Sequence, residues 1–354
     1  MTAAQALLVI VVIIESILLM DALVVFLGHG LWLTWRRRRS SARVAEARAA
    51  VAAAIEDAIP SEEQLRPLRS LATRWQIRLL VEAARNMSGE RRERLCALAR
   101  ELGLVDGARA WCRSRLWWRR LHGARLLTAL GDGEAAMLAL LEDLHPVVRA
   151  QAAEWAADHP APGVIDALLN HLDDDSGLTR FTARDSLLRM GDAVIAPLIS
   201  YLSRHTGRRV EAAMEVAAGL ADPRLLSPAL AACRNRLPRA RALAAVLLGA
   251  IGGREGAGVL MVLLADPAPG VRAAAAQALG RLGYWPAAPR LAPLLRDLAW
   301  SVRREAGLAL RALGAPGVLY LRRLLSDDDP FAVDMARQIL DLPDVVWQPA
   351  SPSP

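Results

Sequence analysis

Lysine is absent from this 354-residue chain: every one of its 44 basic residues is arginine. That bias, set beside a very high alanine content, follows from GC-rich coding, so arginine abundance alone does not argue for phosphate binding. Arginine does remain the better residue for bidentate pairing. Cysteine is nearly absent too. Cys96, Cys112 and Cys233 are odd in number, far apart and form no CxxC pair, which argues against a disulfide framework or a zinc site and fits a reducing compartment. The six histidines (His29, His122, His145, His159, His171, His205) include no HExxH and no close His/Cys pair. The chain has no GxxxxGK[ST], no GxSxG and no dinucleotide fingerprint after a strand. Asp173-Asp174-Asp175 and Asp327-Asp328-Asp329 lack the EF-hand spacing and read as inter-helix turns. The sequence therefore offers no catalytic residue, no metal site and no cofactor.

Charge is unevenly placed. The net is +7, and residues 1–48 hold six Arg against Glu15, Asp21 and Glu46, a net of +3 that leaves only +4 for the rest. A mildly basic body of that size is not a nucleic-acid-binding domain on charge alone. From Ala6 to Trp35 the chain is predominantly apolar, about 30 residues or roughly 45 Å as helix, enough to span a bilayer core. Met1–Leu8 carries no basic residue, against a cleaved signal peptide. Trp32 and Trp35 stand where interfacial aromatics belong, and Arg36, Arg37, Arg38 and Arg39 follow at once. The positive-inside rule then puts the N-terminus outside and the remainder in the cytoplasm, with the plasma (inner) membrane as the location. Glu15 and Asp21 fall inside the span, about 240° apart around a helix. A carboxylate there survives by protonation or by facing a group on another membrane protein.

Beyond the span, residues 36–59 read as a basic juxtamembrane segment and helical stalk, residues 60–342 as a repeat domain and residues 343–354, with four prolines, as a disordered tail. The repeat is clearest at Val271-Arg272-Ala273-Ala274-Ala275-Ala276, closing on Leu279-Gly280. Aligned on the arginine, the register runs Arg120, Arg149, Arg180, Arg209, Arg241, Arg272, Arg303 and then Asp334, at spacings of 29 to 32 residues. An Asp lies six residues ahead in Asp143/Arg149, Asp174/Arg180, Asp266/Arg272 and Asp297/Arg303. The Asp is expected to cap the second helix of each unit while the Arg reaches an acid of the neighbouring unit, a structural ladder. Small residues such as Ala244/Ala245 and Ala275/Ala276 permit close stacking, Gly131, Gly191, Gly252, Gly283 and Gly314 are expected to end second helices, and Pro197, Pro238 and Pro293 to start helices. The expected fold is all-α, a helical-repeat solenoid preceded by one transmembrane helix.

The pattern of an Asp, then Val-Arg-x-x-Ala-Ala, then Leu-Gly resembles the short HEAT-like repeats of bacteria first noted in phycobilisome lyases. The likeness covers residues 112–342 firmly. It implies a right-handed superhelical scaffold that binds partners along one surface, and it names no ligand. The most unusual local stretch packs Trp111, Trp117 and Trp118 among Arg113, Arg115 and Arg119, a pairing suited to a protein partner, an anionic surface or single-stranded nucleic acid. The reading favoured by anchor and repeat together is a membrane-anchored cytoplasmic scaffold or regulatory subunit. Its expected partner is a protein, itself an integral membrane enzyme or transporter. The alternatives are a nucleic-acid-binding HEAT-like protein and, further off, a bilin-lyase-like enzyme.

Overall fold

The computed structural model describes residues 43–56, 62–85, 87 and 89–343, together with Met20. The expected anchor, with Glu15, Asp21, Trp32, Trp35 and Arg36–Arg39, and the tail from residue 344 onward lie outside the described residues. Among the described residues no helix is long and apolar enough to cross a membrane, and no strand occurs.

The chain divides into two compact units between Ala136 and Met137. The first contains α1 (residues 43–56), α2 (Glu62–Arg69), α3 (Thr73–Ala84), α4 (Glu90–Glu101), α5 (Leu104–Cys112) and α6 (Trp117–Leu130). The segment read as a stalk is not free-standing here. Ala47, Val51, Ala54 and Ile55 of α1 are buried, Arg94 donates to the carbonyls of Ile55 and Glu56, and Arg48 pairs with Glu82. An apolar stripe at helical spacing finds a partner surface within its own unit.

The division falls within α7 (Glu134–Leu141). The second unit continues with α8 (Pro146–Ala156), α9 (Pro162–Asn170), α10 (Gly177–Met190), α11 (Asp192–Arg204), α12 (Arg208–Leu220), α13 (Leu226–Ala232) and α14 (Pro238–Ile251). It closes with α15 (Arg254–Leu263), α16 (Pro269–Arg281), the short α17 (Ala288–Leu291), α18 (Trp300–Ala312), α19 (Ala315–Leu324) and α20 (Pro330–Asp341). The even-numbered helices pack one on the next from α8 to α20, and the odd-numbered ones form a second layer against them. Helix starts follow from the chemistry. Pro occupies the first turn of α8, α14, α16 and α20, where its missing N–H costs nothing. Pro197, expected at a helix start, instead lies inside α11.

The layer of second helices is tight because it is made of Ala and Gly. A Cβ on Gly249 would lie 2.5 Å from Ala278 Cβ, and one on Gly280 would lie 2.8 Å from Ala309 Cα. The two contacts are one 31-residue period apart, from 249 to 280 and from 278 to 309. Small side chains thus set the spacing of α14, α16 and α18.

The structure also resets the phase of two repeats. In α6, α8, α10, α14, α16 and α18 the ladder arginine is the fourth residue of its helix: Arg120, Arg149, Arg180, Arg241, Arg272 and Arg303. By that rule the equivalent residue is Glu211 in α12 and Val333 in α20, not Arg209 and Asp334. Second helices start 30 residues apart from α12 to α14 and from α18 to α20, against 31 elsewhere in the second unit, so the aligned letter shifts without altering the fold.

Candidate functional site

Each filled rung of the ladder uses the whole arginine fork. Arg149 donates from Nε and Nη2 to the two carboxylate oxygens of Asp174, at 2.8 and 2.7 Å, and from Nη1 to the carbonyls of Asp143 and Leu144 in its own turn. Arg241 does the same with Asp266, at 2.7 and 2.7 Å, and Arg272 with Asp297, at 2.8 and 2.8 Å. The guanidinium therefore ties its own inter-helix turn to that of the next repeat, in the planar two-bond geometry that suits a carboxylate. The three arginine side chains are 13 to 17% exposed and their acids 7 to 9%. In Asp266 the hydrogen bond from Arg241 outweighs burial and holds the carboxyl below the usual range. Asp174 and Asp297 shift the same way, although burial, their largest single influence, opposes it.

The acids do not cap the second helices as expected. Asp143, Asp174, Asp266 and Asp297 accept from the backbone N–H two residues on, at His145, Ser176, Ala268 and Ala299, which are themselves the residues preceding each helix. They brace the turn rather than the first helical N–H groups.

Two ladder arginines lack a rung. Arg303 donates Nη1 to the carbonyls of Asp297 and Leu298, but the ring of Phe331 covers its guanidinium at 4.9 Å and its buried Nε has no hydrogen-bond partner. Arg180 donates Nη1 to the carbonyls of Asp174 and Asp175, and among the described residues no carboxylate meets its Nε–Nη2 edge. The cause is the next turn. His205-Thr206-Gly207 connects α11 to α12 without an Asp. A cavity of about 450 Å³ opens there, lined by Arg180, Phe181, Arg184, Arg208, Glu211 and Glu215 among others.

In the first unit the structure distributes the expected aromatic and basic residues over a turn. Trp111 ends up half-buried in α5, edge-on to His122 with ring centroids 5.7 Å apart. Arg113 and Arg115 are exposed in the turn, and Trp117 and Trp118 open α6 with 44 and 50% of their surface free. Arg119 lies over the Trp118 ring at 5.1 Å. The same unit holds a junction that the sequence reading missed. Asp132, 5% exposed between two positive-φ glycines, accepts from Arg100 Nε and Nη2 at 2.8 and 2.6 Å, from Arg109 at 2.7 Å, and faces the Cys96 thiol at 3.4 Å. Burial pushes the Asp132 carboxyl up, and the two arginines and the thiol together pull it further down. A Gly-Asp-Gly triplet was the only signal.

HEAT repeats match residues 134–218, 226–311 and 256–340, more than half of the chain. The chain belongs to the HEAT-repeat family. As a HEAT-repeat protein it is similar to the complex of CpcE and CpcF of phycocyanin lyase from Nostoc, at 21% identity over 67% of this chain and 93% of that one, with a TM-score of 0.32. It is similar to human deoxyhypusine hydroxylase at 21% identity over 67% and 94%, with a TM-score of 0.29. With Kap121p bound to Nup53p it shares 15% identity over 78% of this chain and 37% of that one, at a TM-score of 0.56. No curated protein matches the chain. At these identities the likeness concerns the fold.

Proposed function

We propose that this HEAT-repeat chain is a protein-binding scaffold, tethered by its N-terminal segment to the cytoplasmic face of a membrane, whose partner is an integral membrane protein. The observation that carries the binding role is a recurrence. At the starts of second helices the chain exposes large apolar side chains beside arginine: Trp117 and Trp118 in the first unit, Phe181, Trp300 and Phe331 in the second. Arg184 lies over Phe181 and Arg304 over Trp300, each at 5.8 Å. Leu144, in the turn ahead of α8, and Leu298, in the turn ahead of α18, are almost wholly exposed. Aromatic and arginine side chains are the residues that carry most interface energy, and their repeated exposure within the first five residues of second helices marks a surface for a partner.

The tether rests on the apolar run from Ala6 to Trp35 and the arginines behind it. Glu15 and Asp21 are the groups that would meet a polar residue of the membrane partner. Three measurements separate the parts of this reading. Deletion of residues 1–35 releases the chain from the membrane fraction; retention there would remove the tether. Replacement of Trp300 and Phe331 by Ala abolishes recovery of the partner while the chain still folds; full recovery would remove the exposed edge from the interface. Glu15→Leu with Asp21→Leu weakens recovery if the contact continues into the bilayer.

The stack of Arg119 on Trp118 sustains a second reading, single-stranded nucleic acid. That binding would fall steeply with salt, and a flat salt response disposes of it.

A further inference from the structure

Three filled rungs establish what the fold does with an arginine at the fourth position of a second helix: Nη1 holds the carbonyls of its own turn, and Nε with Nη2 hold a carboxylate from the next. Arg180 completes the first half and not the second. At Arg303 the vacancy is filled by the ring of Phe331. At Arg180 it is left as the open cavity between α10 and the first turns of α12, with Arg239 of α14 on its far side.

We infer that this cavity takes a side-chain carboxylate, Asp or Glu, from the protein partner, which thereby supplies the missing rung. The inference rests on the protein-binding reading above and names the chemistry of one contact in it. The fold's own rungs select the occupant, since in all three filled ones Nε and Nη2 hold a carboxylate. The lining sets four arginines against Glu211 and Glu215, with Arg184 and Arg239 sharing Glu215, a net of +2 that favours an anion. The planar two-bond edge of Arg180 is the geometry that suits a carboxylate. The planar fork of Arg180 is already aimed by its two carbonyl contacts, so little order is lost when an acid binds. Phe181, 59% exposed, offers a face for the methylene groups of a glutamate.

The test uses the full-length chain in detergent, with ¹⁵N-arginine labelling and the Arg180 Nε–H signal assigned through Arg180→Lys. The probes are the capped tripeptide Ala-Glu-Ala, its Ala-Gln-Ala isostere and the phosphoserine counterpart, at constant ionic strength. The glutamate peptide shifts the Arg180 signal saturably, the glutamine peptide does not, and the phosphoserine peptide needs the higher concentration. Signals from Arg149, Arg241 and Arg272, whose forks are filled, stay still. No saturable shift, an equal response to glutamine, or saturation by phosphoserine at the lower concentration would each overturn the assignment. Arg180→Gln, which removes an exposed side chain without a buried partner, lowers partner recovery from native membranes roughly tenfold or more. Undiminished recovery in that variant overturns the proposal and leaves the scaffold reading in place, whereas absence of any stoichiometric partner for the wild type brings down that reading itself.

Discussion

A side chain's place in the ladder decides what its loss costs. Arg241→Ala strips Asp266, 7% exposed, of its only bidentate partner, and breaking such a buried pair costs about 3–5 kcal/mol. Arg180→Ala removes no acid's partner and changes stability by no more than about 0.5 kcal/mol. Urea unfolding of the two variants side by side checks the contrast, and equal losses would mean that the rungs do not stabilise the stack. The same acids set the response to pH. Asp174, Asp266 and Asp297 have folded-state pKa values below the ordinary carboxylate value, so their contribution is complete above that value and is lost as pH falls through the folded one. Melting temperature should therefore hold down to about pH 4–5 and drop below it. In Asp266→Asn with Arg241→Leu, that drop is smaller. Burial pushes the three thiols, Cys96, Cys112 and Cys233, up to about 11. A maleimide at neutral pH should leave all three unlabelled until denaturant is added.

At the level of helices, spacing and termination carry the fold. Gly280→Val would force α16 and α18 apart at a 2.8 Å contact, an overpacking cost of about 1–3 kcal/mol or more. Ala221 is the opposite case. It ends α12 at φ +52°, a left-handed position where the glycines of the other repeats sit without strain, so Ala221→Gly should raise stability by about 1 kcal/mol in a chemical melt. Much of this layer was legible in the sequence because Arg, Ala-Ala and Gly recur with a period that only stacked helix pairs explain. The failures share one origin. Alignment on the letter put Arg209 and Asp334 in the register, yet α12 starts 31 residues after α10 and α20 only 30 after α18, so the fourth helical residue is Glu211 and Val333. The buried Asp132 and the open fork of Arg180 were illegible for a related reason. Both are defined by which neighbour arrives from another repeat, and one sequence does not record that. The burial of α1 was in plain sight as an apolar stripe, but composition alone made it look like a stalk.

Over the chain as a whole, the second unit is a HEAT-repeat array whose bidentate ladder runs along its inter-helix turns. There the filled rungs tie repeat to repeat, and the exposed Phe181, Trp300 and Phe331 stand with the open rung at Arg180 as the surface proposed for a partner. In the function proposed above, that arrangement serves binding, and the N-terminal apolar segment is the proposed tether to a membrane. Mild-detergent affinity purification of the full-length chain from its native membranes, with mass spectrometry of what stays bound, tests this most directly. The account predicts one integral membrane protein at near-equal stoichiometry, lost when Trp300 and Phe331 are replaced by Ala. Recovery of nucleic acid, or of soluble proteins alone and indifferent to those substitutions, would contradict it.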